Sequence, residues 1–551
     1  NGAQFDEYGN MKNWWTDADY AEFKKRTQAE IDLFDGIKYG PVTLNGKQIV
    51  SENIADQGGL TAAVQANKGE NGDMKKLFVT TVLILATVMS VSAQKKPYSV
   101  TWQNFNTYST RLPETGKLVT KPADGSGDSR WSIGCETLDR DYADFSQFRK
   151  YVGPLGVGYA RIQSGWAKCE QEKGKYDFAW LDEIVDGLNS QGVRPWMCLC
   201  YGNPLYGADR NLGSGIFTTD EVMKPWLKYV RETVKHYGDR VAMWEIWNEP
   251  NLRSKNNPEV YAEMLIVTAE EIRKVNRKAV IIGFGLSGVP TAWPKKVMDI
   301  LKDRKKTDLI DMVSFHPYYP NPDNATTDIL ALDSLMKSYS PKIKLFQGET
   351  GCPSILEYGH AMNHYEWSEY KQAKWDLRRM ANDFRLEIMS NIFTMVDLQY
   401  ENMLQSFGLI RMNLRKKVVY KRPSYYAVQH MVSLLTTKVH PFDLEVDHNA
   451  TREISVVGIK DEAGKTVGAM LWYSDQMPTD VLEKDNVSMT IKGLDMKDPV
   501  YVEPITGKVH EVKTVILRGG LSGGNVRLSG LPMWDSPVFL MERESVSMER
   551  E

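Results

Sequence analysis

Asn248, Glu249 and Pro250, in "MWEIWNEPNL" (243–252), set an amide, a carboxyl and a residue that ends strands side by side after an apolar run. A second carboxyl, Glu349 in "FQGETG", follows 349 − 249 = 100 residues later. Two carboxyls that share a cleft hydrolyse glycosides: one protonates the leaving oxygen, and the other attacks the anomeric carbon or activates water. The acid must hold its proton near neutrality, and a nucleophile must be charged. Asn248 carries both a donor and an acceptor, so it can hold a sugar hydroxyl in one orientation. None of this works unless both side chains reach one mouth.

Elements that could bring them together are legible from residue 131 onward. Short apolar runs read as strands at 131–137, 158–165, 194–202, 242–250, 279–286, 311–319, 344–351 and 392–400. Amphipathic segments alternate with them, such as 178–192, where Phe178, Leu181, Ile184, Val185 and Leu188 recur at three- and four-residue spacing before Gly192. Eight such units predict an α/β fold, a (β/α)8 TIM barrel over 131–438, with catalytic groups at the C-terminal strand ends. Glu249 would end strand four and Glu349 strand seven, facing one another across the mouth. A doubly wound open sheet is the other topology considered, but no glycine-rich phosphate loop follows the first strand. Residues 439–551 alternate apolar and polar over short runs ("ISVVGIK", "TVGAMLWYS"), which predicts a C-terminal β-sandwich. The segment 94–130, through "YSVTWQNF" (98–105), is expected to lend that sandwich a strand.

These residues resemble clan A of the glycoside hydrolases, the retaining four/seven superfamily. "WNEPN", "SFHPYY" and "GKYDFAWLDEIVDGL" resemble family 39 in particular, over about residues 130–440. The resemblance implies Glu249 as acid/base, Glu349 as nucleophile and Asn248 at the sugar 2-hydroxyl. It also matches Arg161 to the arginine beside the nucleophile, with a structural ion pair as the other reading. His316 and Tyr318 end strand six: Tyr318 is placed to hydrogen-bond Glu349, and His316 either packs or meets the sugar. Glu136, Tyr201, Asn203 and Asp397, at the ends of strands one, three and eight, are candidates to reach hydroxyls. Trp247 is a further candidate sugar contact, with barrel packing as its alternative, whereas Trp244 and Glu245 read as barrel interior. Many clan members end strand eight with a tryptophan floor. "TMVDLQYEN" has none, and Tyr400 is the candidate substitute.

Bulk properties narrow the class. A formal net charge of −3 gives no electrostatic reason to invoke nucleic acid or a membrane surface. Five scattered cysteines form no disulfide framework, and Cys198 and Cys200 have no zinc spacing, so buried thiols are expected. No metal or cofactor is expected, and the expected partner is an oligosaccharide or polysaccharide. No residue pattern reads out an oligomeric state.

The first hundred residues carry a seam. Residues 74–94, "MKKLFVTTVLILATVMSVSAQ", have the charged start, short apolar run and small-residue end of a signal peptide, taken as 74–93. The mature protein is then expected to be secreted or periplasmic. Ahead of it, residues 1 to about 70 resemble neprilysin-type zinc metallopeptidases. That resemblance implies zinc ligation by Glu52 and ligand orientation by Asp56. The chain has no His-Glu-x-x-His to supply the remaining ligands, so 1–73 reads as a truncated, non-functional fragment.

Overall fold

The structure, a computed structural model, describes residues 16–36, 38–39, 42–43, 45–47, 50, 110–252, 257–400, 403–512, 514–517 and 524–550. Glu52, Asp56, the segment 74–93 and the stretch 98–105 lie outside the described residues. The chain divides into two units: Asn1–Ser99 with Gln399–Leu404, and Val100–Leu398 with Gln405–Glu551. The described part of the first unit holds one long helix, Asp17–Phe34, and a two-stranded ladder of Lys38–Tyr39 with Val42–Thr43.

In the second unit eight parallel strands close into a barrel. They are Trp131–Gly134, Tyr159–Gln163, Arg194–Leu199, Met243–Ile246, Val280–Ser287, Met312–His316, Lys344–Thr350 and Met389–Ile392. Trp196, Met243, Ile282, Met312 and Phe346, from strands three to seven, form one buried cluster, so the interior is packed core and not a pore. Helices between the strands start where capping chemistry allows. Asn257 accepts the backbone N–H of Val260 ahead of Pro258, which opens the helix Pro258–Val275.

The predicted alternation holds; strands one, three and six end three residues short of the predicted runs, and strands four and eight move furthest. Strand four ends at Ile246 instead of running to Pro250, because Trp247 (φ 69°) and Glu249 (φ 48°) take left-handed backbone that no strand accommodates. Strand eight is Met389–Ile392 and not 392–400. Its Ser390 and Asn391 are polar and satisfied in the interior, Ser390 by donating to Gln347 and the Asn391 amide by donating to the Gly348 carbonyl and accepting from the Ser132 hydroxyl, so the apolar pattern is displaced from the strand itself.

Two antiparallel sheets make up the C-terminal sandwich. The larger runs Val439–Phe442, Ile454–Asp461, Thr466–Tyr473, Val538–Glu542, Pro499–Glu503, Lys508–Glu511, Glu114–Leu118 and Met548–Glu549 in spatial order. The smaller joins Glu445–His448, Asp485–Lys492, Asn525–Met533 and Thr514–Leu517. A strand N-terminal to the barrel, Glu114–Leu118, thus pairs within the sandwich. The helix Glu369–Arg385 ties barrel to sandwich through polar groups: Arg378 donates to the carbonyls of Ser474 and Gln476, and Lys374 pairs with Asp535 at 2.6 Å.

Candidate active site

The fourth strand delivers its carboxyl by an irregular route. Beyond Ile246 the chain turns through Trp247, Asn248 and Glu249, and the Glu249 N–H donates to the carbonyl of Gly285 at 2.8 Å. Gly285 stands in a bulge of strand five, where the register with strand six shifts between Gly283 and Leu286. Bulges of this kind re-aim groups beside functional sites. Gly285 has φ 48°, and a Cβ there would meet the Trp247 carbonyl at 3.1 Å, so glycine suits both the backbone and the space. The loop is held further by Asn251, whose amide donates to the Ser287 carbonyl and accepts from the Ser287 N–H.

Strand seven runs to Thr350, and Glu349 projects from its C-terminal end, where the register with strand eight shifts between Gln347 and Thr350. Three neighbours hold its carboxylate. Arg161 Nη1 donates to Oε2 at 2.5 Å, the Tyr318 hydroxyl donates to Oε1 at 2.8 Å, and His316 Nδ1 lies 3.9 Å from Oε2. Burial raises the Glu349 pKa, but His316, Arg161 and the Tyr318 bond outweigh it and bring the carboxyl below its usual range. His316 also reaches the other carboxyl, with Nδ1 3.1 Å from Glu249 Oε1. One oxygen of Glu249, one of Glu349 and a ring nitrogen of His316 lie within 4.8 Å of one another. This trio is the one group among the described residues with metal-ligand spacing. Glu349 is a poor metal ligand here, since a cation and a hydroxyl already occupy both its oxygens.

Arg161 is fully buried and organises the floor of the site. Besides Glu349 it donates to Glu136 at 2.9 Å, to Glu245 at 2.5 Å and to Asn248 Oδ1 at 2.7 Å. Burial opposes its charge, but Glu136 and Glu245 hold the guanidinium protonated. Burial pushes the Glu136 carboxyl well above the carboxylate range despite Arg161, the opposite direction from Glu349.

The site therefore gathers Glu249, Glu349, Asn248, Arg161, His316, Tyr318 and Glu136. Tyr201 joins them, accepting from Asn248 Nδ2 at 2.9 Å, which fixes the amide orientation and leaves its second N–H for a ligand. Three candidate sugar contacts are engaged elsewhere. Both Asp397 oxygens pair with Arg422 (2.6 and 2.9 Å) and accept the N–H groups of Gly408 and Met412. Since strand eight ends at Ile392, Asp397 falls five residues past its end. Asn203 donates to the Glu170 carbonyl and caps the turn Pro204–Tyr206. The Trp247 ring is sealed edge-on against Tyr201, Phe217 and Trp226. Tyr400 lies in the hairpin tip that groups with the first unit, its N–H donating to the Met403 carbonyl.

Sequence reasoning missed Gly285 as the support of Glu249, Ser314 as the hydroxyl on Glu245, and Arg140, whose guanidinium lies 5.2 Å over the Tyr201 ring. The signal for the first was present: "GFG" interrupts an otherwise apolar strand, as bulges do.

Fold and site together define a glycoside hydrolase barrel. More particularly, residues 129–347 match the family model of glycosyl hydrolases family 39. Among solved structures, a family 39 glycoside hydrolase from Bacteroides cellulosilyticus WH2 superposes with a TM-score of 0.57 at 19% identity, covering 77% of this chain and 83% of that one. A monomeric beta-xylosidase from Caulobacter crescentus CB15 has a TM-score of 0.50 at 17% identity, covering 78% and 98%. At such identities the likeness is one of fold. Residues 1–81 match peptidase family M13, a stretch that runs 81 − 74 = 7 residues past Met74. There the chain is 62% identical over 77 residues to a neutral endopeptidase of Lactobacillus helveticus and 53% over 79 residues to one of Lactococcus lactis subsp. cremoris. It spans only 12% and 13% of the length of those peptidases.

Proposed function

We propose that the chain is a retaining glycoside hydrolase that cleaves β-glycosidic bonds by double displacement. In the first step Glu349 attacks the anomeric carbon while the proton of Glu249 passes to the leaving oxygen. The aglycone departs as an alcohol, and a glycosyl ester remains on Glu349. In the second step Glu249, now a base, takes a proton from water. The water oxygen bonds to the anomeric carbon, and Glu349 leaves as carboxylate. The observation that carries this reading is the approach of Glu249 and Glu349 oxygens to within 4.8 Å, each next to His316. Retaining pairs are separated by about 5–5.5 Å and inverting pairs by about 6.5–9.5 Å, the latter leaving room for a water. The low proton affinity of Glu349 supports the nucleophile role.

The glycone is proposed to be a neutral sugar of the xylose, glucose or galactose kind from polysaccharide-derived glycans. Export through residues 74–93 would place the enzyme outside the cytoplasm or in the periplasm. Proton NMR of the first product tests the mechanism: retained configuration is expected, and an inverted anomer contradicts double displacement. A panel of aryl glycosides names the sugar, and turnover of none of them would leave a carbohydrate-binding barrel without catalysis as the alternative.

A further inference from the structure

Strand five leaves its ladder with strand six at Phe284 and Gly285, between the paired positions Gly283 and Leu286. Phe284 takes φ 80° and Gly285 φ 48°. Left-handed backbone is ordinary for glycine, but in a bulky residue such as Phe284 it is strained and persists only where the surroundings impose it. Two side-chain hydroxyls take the N–H groups that the bulge removes from the ladder. The Phe284 N–H donates to the Tyr261 hydroxyl at 2.5 Å, and that hydroxyl donates to the Ile246 carbonyl at 3.0 Å. The Gly285 N–H donates to Ser314 Oγ at 3.0 Å, and the Ser314 hydroxyl donates to Glu245 Oε1 at 2.5 Å. One hydroxyl comes from the helix Pro258–Val275 and the other from strand six.

Both chains of bonds end at the acid. The Gly285 carbonyl accepts the Glu249 N–H at 2.8 Å, so whatever fixes the Gly285 peptide fixes the backbone that carries Glu249. Ile246 is the last residue of strand four, so Tyr261 ties the bulge to the point where the chain turns toward Glu249. Ser314 is anchored in its turn. Glu245 Oε2 accepts from Arg161 Nε at 3.0 Å and Nη2 at 2.5 Å, which leaves Oε1 for the serine. Tyr261, Phe284, Ser314 and Glu245 are all fully buried. Apolar side chains could fill that volume, whereas hydroxyls add bonds of defined direction to a backbone that has lost its ladder partners. A buried N–H deprived of its acceptor is costly, so the peptide reorients when its hydroxyl is removed.

We infer that Ser314 and Tyr261 are positioning residues for the acid/base: their hydroxyls hold the bulge Phe284–Gly285 in the conformation that aims Glu249 at the leaving oxygen. Neither hydroxyl takes part in the chemistry. The inference rests on the glycosidase reading above and gives the interior carboxyl Glu245 a use, as the anchor of Ser314.

The test uses the full chain and a series of aryl glycosides of falling leaving-group acidity, once the aryl panel has named the sugar. Ser314→Ala should keep kcat/KM within about twofold on the most activated member and lower it about tenfold on the phenyl glycoside, as a misdirected acid would. Tyr261→Phe should show the same slope with a loss of about threefold, since it acts one residue further from the Glu249 bond. Each variant is then combined with Glu249→Ala. A residue that acts through Glu249 has nothing left to position there, so the further loss on the phenyl glycoside should be under about twofold. Thermal melting confirms that each variant is folded, and because the hydroxyls lie on separate elements, either variant decides alone. Equal losses across the series, losses undiminished in the Glu249→Ala background, or a lower Tm with unchanged kcat/KM mark a merely structural role. Any of these overturns the inference and leaves the glycosidase reading standing. Turnover of no glycoside by the unaltered chain overturns both.

Discussion

The ends of strands four and seven bear the same functional group and are built in opposite ways. Glu349 lies within its strand, at a register shift with strand eight, is buried, and has both oxygens held by Arg161 and Tyr318. Glu249 stands three residues beyond its strand on left-handed backbone, with His316 near one oxygen and a backbone bond to Gly285 beneath it. Under the proposed mechanism the difference matches what each group must do. A nucleophile has to be charged and aimed before substrate arrives, which favours rigid backbone and fixed donors. An acid/base has to give up and regain a proton within one cycle, so a web of fixed donors on its oxygens would work against it.

Replacing each carboxyl breaks the comparison most severely. Glu349→Ala should lower kcat by about 10^4-fold or more for every glycoside, since no leaving group compensates for a missing nucleophile. Azide should restore turnover and give a glycosyl azide of the opposite anomeric configuration, read by NMR. Glu249→Ala should cost about 10^2–10^4-fold on alkyl glycosides and much less on activated aryl glycosides. A plot of rate against leaving-group acidity checks this, and equal losses across the series would contradict the assignment.

Smaller changes sharpen the contrast. Tyr318→Phe removes one of the influences that hold the Glu349 carboxyl low, so its pKa rises. Because Glu349 must be ionised to attack, the acid limb of kcat/KM should move to higher pH, with about a tenfold loss at the optimum. Gly285→Ala acts on the other carboxyl. The added methyl meets the Trp247 carbonyl at 3.1 Å on backbone with φ 48°. A stability loss of about 1–2 kcal/mol is expected, seen as a lower Tm. The accompanying activity loss of a few fold should be larger for poor leaving groups than for good ones.

Periodicity made most of the barrel legible, because helical and strand patterns differ and strands alternated with helices eight times. Tyr318 beside Glu349 and Glu245 in the interior followed from counting positions to strand ends, and Arg161 beside Glu349 followed from the family resemblance. The misplaced residues share a cause. Asp397 and Asn203 are polar residues near strand ends, as true ligands are, but their partners, Arg422 and the Glu170 carbonyl, are 25 and 33 residues away in the chain. No local pattern announces such pairing. Strand eight was displaced because a buried Ser-Asn pair, bonded to Gln347, Gly348 and Ser132, carries no apolar signal.

By itself the sequence determined which residue types stand at which strand ends, and so the chemistry on offer: two carboxyls, an amide, a tyrosine and an arginine, each placed by a repeat of roughly constant length. Only the tertiary structure decided their states. The direction in which each carboxyl around Arg161 is shifted depends on burial and on charges brought together from strands one, two, four and seven. How Glu249 is aimed depends on a glycine bulge in the neighbouring strand. Charge and aim arise from through-space neighbours, and chain order does not encode those distances.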